Sequence, residues 1–199
     1  MSDTERLIAA RGRANSTQLR WLETVAVDCL KSGKVIVNAT EGVYGLAARA
    51  RDERACTALG RLKSRGRVKP FIVVAADFGQ VAAMVDVRQI DLKAITATWP
   101  GPETWVLPAA RAAPPWLVSR QGTLAVRITG HPQLARLAAA AGALISTSAN
   151  PPGRPPALTP LAARRYFGNR VACYLPGKLL RPGVPSRIRD SRSGISLRG

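Results

Sequence analysis

Apolar positions recur along this chain with two periods, and the alternation between them sets out the fold. In TQLRWLETVAVDCLKSG, Leu19, Leu22, Val25, Ala26, Cys29 and Leu30 share one helical face, with Thr17 a capping type at the start and Gly33 a stop at the end. VIVNA, from Val35, is a short β-branched strand. DERACTALGRLKS predicts a second helix and FIVVAA, from Phe71, a second strand, followed by helical segments from Asp77 to Val85 and from Ile90 to Thr98. The prolines and glycine of WPGPETWVLPA forbid a helix and predict a turn feeding a strand.

Beyond that turn the alternation continues. TLAVRI, from Thr123, is a strand, HPQLARLAAAAG a helix with an early proline and Gly142 at its end, and ALISTS a strand. A helix at LAARRYF and strand-like pieces at VACYL, SRIRD and ISLR complete the series. Strands alternating with helices imply an α/β domain, a twisted open sheet flanked by helices. WVLPA and TLAVRI, with no helix between them, make that sheet mixed.

Composition narrows the class. The 199 residues, 46% of them hydrophobic, suffice for one core, so residues 17–199 read as a single domain and the polar, aperiodic residues 1–16 as a loose N-terminal arm. No apolar run is long enough to cross a bilayer, and the N-terminal residues are charged where a secretory segment needs apolar side chains, so a cytoplasmic protein is expected. Cys29, Cys56 and Cys173 are odd in number and far apart, the pattern of reduced core residues rather than of a disulfide framework or a zinc set. Thirty Lys and Arg against 12 Asp and Glu leave a formal charge of +18, which points to polyanionic partners, nucleotides or nucleic acid.

The candidate chemistry is defined partly by what is missing. His131 is the single histidine, set before Pro132 at a helix start, where capping or a surface position accounts for it better than metal binding or base catalysis. Neither GxxxxGK[ST] nor GxGxxG is present. Four polar or basic stretches adjoin strands instead: NATEGVYGLAA, KSRGRVKP, LISTSANPPGRPP and VPSRIRDSRSGISLRG. Taken singly, each reads as an ordinary turn, a solvated charge run or a strand-to-loop transition. Together, at strand edges of an α/β sheet, they are expected to form a basic, hydroxyl-lined concave cleft suited to phosphate and carboxylate.

In the same order, ATEGVYGL, K-S-R-x-x-x-K-P, WPGPETWVLPA, TLAVRITGHP, STSANPPGRPP and PSRIRDSRSGISLRG resemble the successive motifs of the YrdC/TsaC family, from about Thr17 onward and of the single-domain bacterial type. The resemblance implies a YrdC-like fold and a nucleotidyltransferase that forms L-threonylcarbamoyladenylate and pyrophosphate from L-threonine, bicarbonate and ATP, with Mg²⁺ accompanying the ATP and no metal ligands from side chains. It implies use of the product by TsaB/TsaD/TsaE-type proteins for t6A37 modification of tRNA. Lys63, Arg65, Ser148 and Asn150 match the family's reaction centre; Arg65, Lys69, Thr123, Asn150 and Arg198 its ATP positions; and Thr40, Arg127, Ser148 and Ser186 its threonine positions.

Departures from the family pattern are Ala39 for proline, Gly42 for a commoner Thr or Ala with loss of a small contact, Arg67 within the basic run, and Leu158 for a polar residue near the nucleotide. The other class of function the residues allow is a tRNA- or double-stranded-RNA-binding module without adenylate-forming activity, which the net charge favours. An aromatic content of 5% argues against stacking on unpaired bases, so any RNA contact is with phosphates and duplex shape.

Overall fold

A computed structural model describes residues 16–64 and 71–198. Residues 1–15, which make up nearly all of the expected arm, and the run 65–70, which includes Arg65, Arg67 and Lys69, lie outside the described residues. Among the described residues no helix is long and apolar enough to cross a membrane.

The strands are β1 (Ile36–Ala39), β2 (Tyr44–Arg49), β3 (Ile72–Ala75), β4 (Glu103–Pro108), β5 (Thr123–Ile128), β6 (Leu144–Ser148), β7 (Cys173–Tyr174), β8 (Arg187–Asp190) and β9 (Ser196–Arg198). They form one mixed sheet in the order β7-β1-β2-β6-β3-β5-β4-β8-β9. β1–β7, β3–β5 and β4–β8 are parallel pairs and the remaining neighbours are antiparallel. The helices are α1 (Ser16–Lys31), α2 (Glu53–Leu62), α3 (Leu92–Thr96), α4 (Pro132–Ala141) and α5 (Pro160–Phe167).

Strand side chains alternate between the two faces of a sheet, and each face here has its own core. Val37, Leu46, Val73, Val126 and Ile145 pack with Ala55, Cys56 and Leu59 of α2 and with Phe167 of α5. The opposite parity, Ile36, Ala47, Val74 and Leu144, packs under Ala26 and Leu30 of α1 and Leu134, Leu137 and Ala138 of α4. Cys56 and Cys173 are buried in these cores and Cys29 is half-buried; all three are free thiols.

Two elements differ from expectation. The segment expected as a helix at 77–85 is two 3₁₀ turns, Phe78–Gln80 and Ala82–Met84, and that at 90–98 holds only the short α3, with a further 3₁₀ turn, Val87–Gln89, between them. Asp77, Asp86 and Asp91 each accept a backbone N–H two or three residues on, so every aspartate starts a new turn instead of continuing one helix. The stretch read as a strand-to-loop transition after β1 holds a full strand, β2. YGLAAR carries little intrinsic strand preference; burial between β1 and β6 makes it one.

Candidate active site

Lys63 closes α2, whose first turn is capped by the Asp52 carboxylate accepting the Ala55 N–H at 3.0 Å. The helix end aims the Lys63 side chain at the end of β6. Its buried ammonium donates to the Ser148 carbonyl at 2.9 Å, to Asn150 Oδ1 at 3.1 Å and to the Asn150 carbonyl. The Asn150 amide nitrogen donates onward to the carbonyls of Pro151 and Arg154. Residues 85 and 87 positions away in sequence are thus joined to Lys63 at one point, and the three acceptors named are neutral oxygens that orient its charge.

Strand parity brings the other candidates to one face. Thr123 and Arg127 of β5 point away from the Leu124–Val126–Ile128 core. Ser146 and Ser148 share the parity of Leu144 on β6, and β3 aligns Ile72 with both Ser146 and Ala125. The same face continues across β4 to β8 and β9, where Arg198 pairs in register with Ile188. Arg198 donates to the carbonyl and hydroxyl of the buried Ser186, at 2.9 Å each from its Nη2. Thr123 lies farther along, its hydroxyl 2.8 Å from that of Ser119.

Thr40 and Glu41 occupy the tight turn between β1 and β2. The Thr40 hydroxyl donates to the Val43 carbonyl at 2.7 Å, and its methyl lies where a Cβ on Gly45 would come within 3.1 Å, so glycine is what lets the turn rest against β2. Glu41 accepts the Thr129 hydroxyl at 2.7 Å and lies 3.4 Å from Arg127. β1 and β5 are separated by β2, β6 and β3, roughly 19 Å across a flat sheet. The turn therefore folds back over the curved sheet face to make this contact.

Glu41, Arg127 and Thr129 are all buried. Burial pushes the Arg127 guanidinium below its ordinary range, and the Glu41 carboxylate opposes that shift. Arg127 Nε is buried with no hydrogen-bond partner among the described residues, as is Glu41 Oε2.

The structure therefore brings Lys63, Ser148 and Asn150 into direct contact, sets Arg127 and Thr123 on the face that Ser148 shares, places Thr40 beside it, and ties Ser186, just before β8, to Arg198 of β9. Arg65 and Lys69 fall outside the described residues. Leu158 is half exposed, beside the Thr159 cap of α5.

One expectation is met in a buried setting and one is corrected. His131 caps α4 as expected, but it is buried rather than on the surface, held by the Leu134 N–H on Nδ1 and the Lys178 carbonyl on Nε2. Gly42 does not leave a contact unmade: a Cβ there would lie 1.7 Å from the Val184 carbonyl oxygen, so the close approach of residues 181–184 excludes any side chain. The motifs of the sequence assign no role to Glu41 or Thr129. A carboxylate directly after a strand in so basic a chain was the available signal for Glu41; nothing local marks Thr129.

Residues 28–198 match a family model, Sua5/YciO/YrdC, described as "Telomere recombination". The threonylcarbamoyl-AMP synthase of Nitrosococcus oceani is 44% identical over 180 residues, 89% of this chain and 97% of that protein. The threonylcarbamoyl-AMP synthase of Halorhodospira halophila is 44% identical over 171 residues, 85% of this chain and 90% of that protein. Among solved structures, that of P. abyssi Sua5 complexed with L-threonine superposes with a TM-score of 0.78 at 29% identity, covering 90% of this chain and 52% of that one. E. coli YciO shares the fold, with a TM-score of 0.73 at 21% identity over 91% of this chain and 89% of that one.

Proposed function

The chain belongs to the Sua5/YciO/YrdC family, and we propose that its cleft joins L-threonine, bicarbonate and ATP into threonylcarbamoyl-AMP, releasing water as the amine is carboxylated and pyrophosphate as the carbamate takes the adenylyl group. It is an enzyme of the nucleotidyltransferase type whose product serves t6A modification of tRNA. The relatives named for this synthesis, matched over most of both chains, favour it over an RNA-binding module without activity.

The observation that carries the site assignment is the meeting of Lys63 with Ser148 and Asn150 at the edge of a sheet face that also holds Arg127 and Thr123. Carboxylated threonine and the α-phosphate of ATP are both anions. At 4 Å and an effective dielectric of about 20, two unit charges repel by ~4 kcal/mol, roughly a thousandfold in rate, so offsetting that repulsion is the main chemical task. Lys63, oriented by three oxygens, is assigned to the charge developing between the reactants, with Ser148 and Asn150 shaping the centre around it. Arg65 and Lys69 are assigned to the ATP phosphates, Thr123 and Arg198 to the nucleotide side.

Arg127 is assigned to the threonine carboxylate. Its Nε has no hydrogen-bond partner among the described residues, and guanidinium is the planar donor a carboxylate accepts best. Thr40 and Ser186 complete the threonine side; the Thr40 oxygen donates within its turn yet keeps lone pairs to accept from an ammonium. Positioning and charge compensation suffice for such a transfer, and no histidine or cysteine is needed as acid or base. ATP enters as its Mg²⁺ complex, the ion riding on the phosphates.

The test is omission. Pyrophosphate and the labile adenylate should form only when ATP, bicarbonate and L-threonine are all present; pyrophosphate release that ignores threonine overturns the reading. A net charge of +18 also supports contact with tRNA or double-stranded RNA through phosphates, and the product's use by TsaB/TsaD/TsaE-type partners fits a cytoplasmic enzyme. RNA affinity should fall steeply with added salt; salt-insensitive binding counts against phosphate contacts.

A further inference from the structure

The Arg127 site is sealed. Arg127, Glu41 and Thr129 are 5%, 6% and 2% exposed, so a carboxylate reaches the unpartnered Arg127 Nε only if part of the wall moves. The segment lying on the Glu41–Gly42 turn runs from Pro176 to Ser186, and its two ends are held very differently from its middle. At the first end Gln133 Nε2 donates to the Pro176 carbonyl at 3.0 Å and Tyr44 Oη to the Gly177 carbonyl at 2.6 Å. Because His131 Nδ1 accepts the Leu134 N–H, its ring proton sits on Nε2 and is donated to the Lys178 carbonyl at 2.9 Å. Leu179 then inserts into the core. At the other end Ser186 is buried and clamped by Arg198.

Leu180 to Pro185, between these anchors, are all exposed. They are fastened to the turn by two main-chain hydrogen bonds, from the Arg181 N–H to the Glu41 carbonyl at 2.7 Å and from the Gly183 N–H to the Gly42 carbonyl at 2.8 Å. Both acceptors belong to the turn that carries the Glu41 side chain to Arg127. The fit is close enough that the Val184 carbonyl occupies the space of a Gly42 Cβ.

We propose that Leu180–Pro185 is a strap that lifts to admit the amino-acid substrate to Arg127 and reseats on the Glu41–Gly42 backbone, with Gly42 as the positioning residue that permits the seat. The inference rests on the assignment of Arg127 to the threonine carboxylate. Fixed hinges at Lys178–Leu179 and Ser186 confine the movement to six residues and leave the Lys63 centre undisturbed. Gly42 thus acts on threonine capture rather than on the reaction itself.

Amide hydrogen exchange reads the strap directly, because its two fastening donors are the Arg181 and Gly183 amides. Saturating L-threonine should slow their exchange in the wild-type enzyme by about tenfold or more, as a closed state replaces local opening. Gly42→Ala should exchange these two amides nearly unprotected and raise KM for L-threonine by about tenfold or more, with KM for ATP within about twofold and kcat little changed. Unchanged threonine KM in Gly42→Ala, or strap amides indifferent to L-threonine in the wild type, overturns the proposal. The wild-type measurement keeps it decidable should Gly42→Ala not fold. The two readings fail separately: absence of adenylate synthesis by the wild type removes the proposed reaction, whereas normal synthesis with an indifferent strap removes only the strap.

Discussion

β5 presents two different surfaces within six residues. Leu124, Val126 and Ile128 are sealed into the core under α2, whereas Thr123 and Arg127 lie on the opposite face of the sheet, Arg127 buried against Glu41. The first set is fixed by volume and tolerates no polarity; the second carries a cation whose burial is costly unless it is paired, which Glu41 does only in part. Neighbouring positions on one strand therefore answer to separate demands, stability on one side and, in the proposed function, ligand chemistry on the other. Substitutions should divide accordingly.

The largest separation is expected at Lys63, which meets Ser148 and Asn150 from the end of a core helix. Lys63→Met keeps much of the aliphatic stem and should cut kcat/KM for adenylate formation by roughly a thousandfold, the repulsion it was assigned to offset, with the unfolding transition still cooperative. Full turnover in that variant would erase the distinction at its strongest point. Next comes Arg127. Arg127→Ala strands the buried Glu41 charge and should destabilise by about 3–5 kcal/mol, whereas Arg127→Met with Glu41→Met should recover stability but not threonine binding, measured by calorimetry and by denaturant unfolding. Recovery of both would place Arg127 among structural residues.

Leu124→Ala tests the core side of the same strand. A loss of about 2–5 kcal/mol, a fall in Tm of roughly 5–15 °C, should accompany near-normal KM values below the transition. The smallest effect is chemical. Burial pushes the Cys56 and Cys173 thiols up to about 12, so at pH 8 almost none is thiolate and alkylation by iodoacetamide should await unfolding, while half-buried Cys29 reacts first. Raising the pH toward 12 increases the thiolate fraction of both; rapid labelling of Cys56 in the folded enzyme at pH 8 would show that the core side is open.

The alternation of apolar periods located β1, β3, β4, β5, β6 and the helices α1, α2, α4 and α5, because in each the buried stripe is written in consecutive local choices. It failed where the decision is not local. β2 is a strand by virtue of its two neighbours, and the aspartates at 77, 86 and 91 redirect a chain whose composition suits a helix. The site shows the same divide. Lys63, Ser148 and Asn150 were legible as polar residues flanking strands, but the coupling of Glu41 to Thr129 and Arg127 depends on a curved sheet bringing a turn over distant strands. Gly42 looked like a loss until the backbone above it was in view.

The parity of β6 carries a consequence for how such a molecule can diversify. Ser146 and Ser148 share one face of the sheet only because Leu144 and Ile145 divide between the two sides, so dropping one residue at Gly142–Ala143 and sliding the strand to compensate would swap hydroxyls and hydrocarbons wholesale. Descendants can drift one letter at a time at the strand's positions, but a frame change of a single residue there would abolish shape and catalysis together.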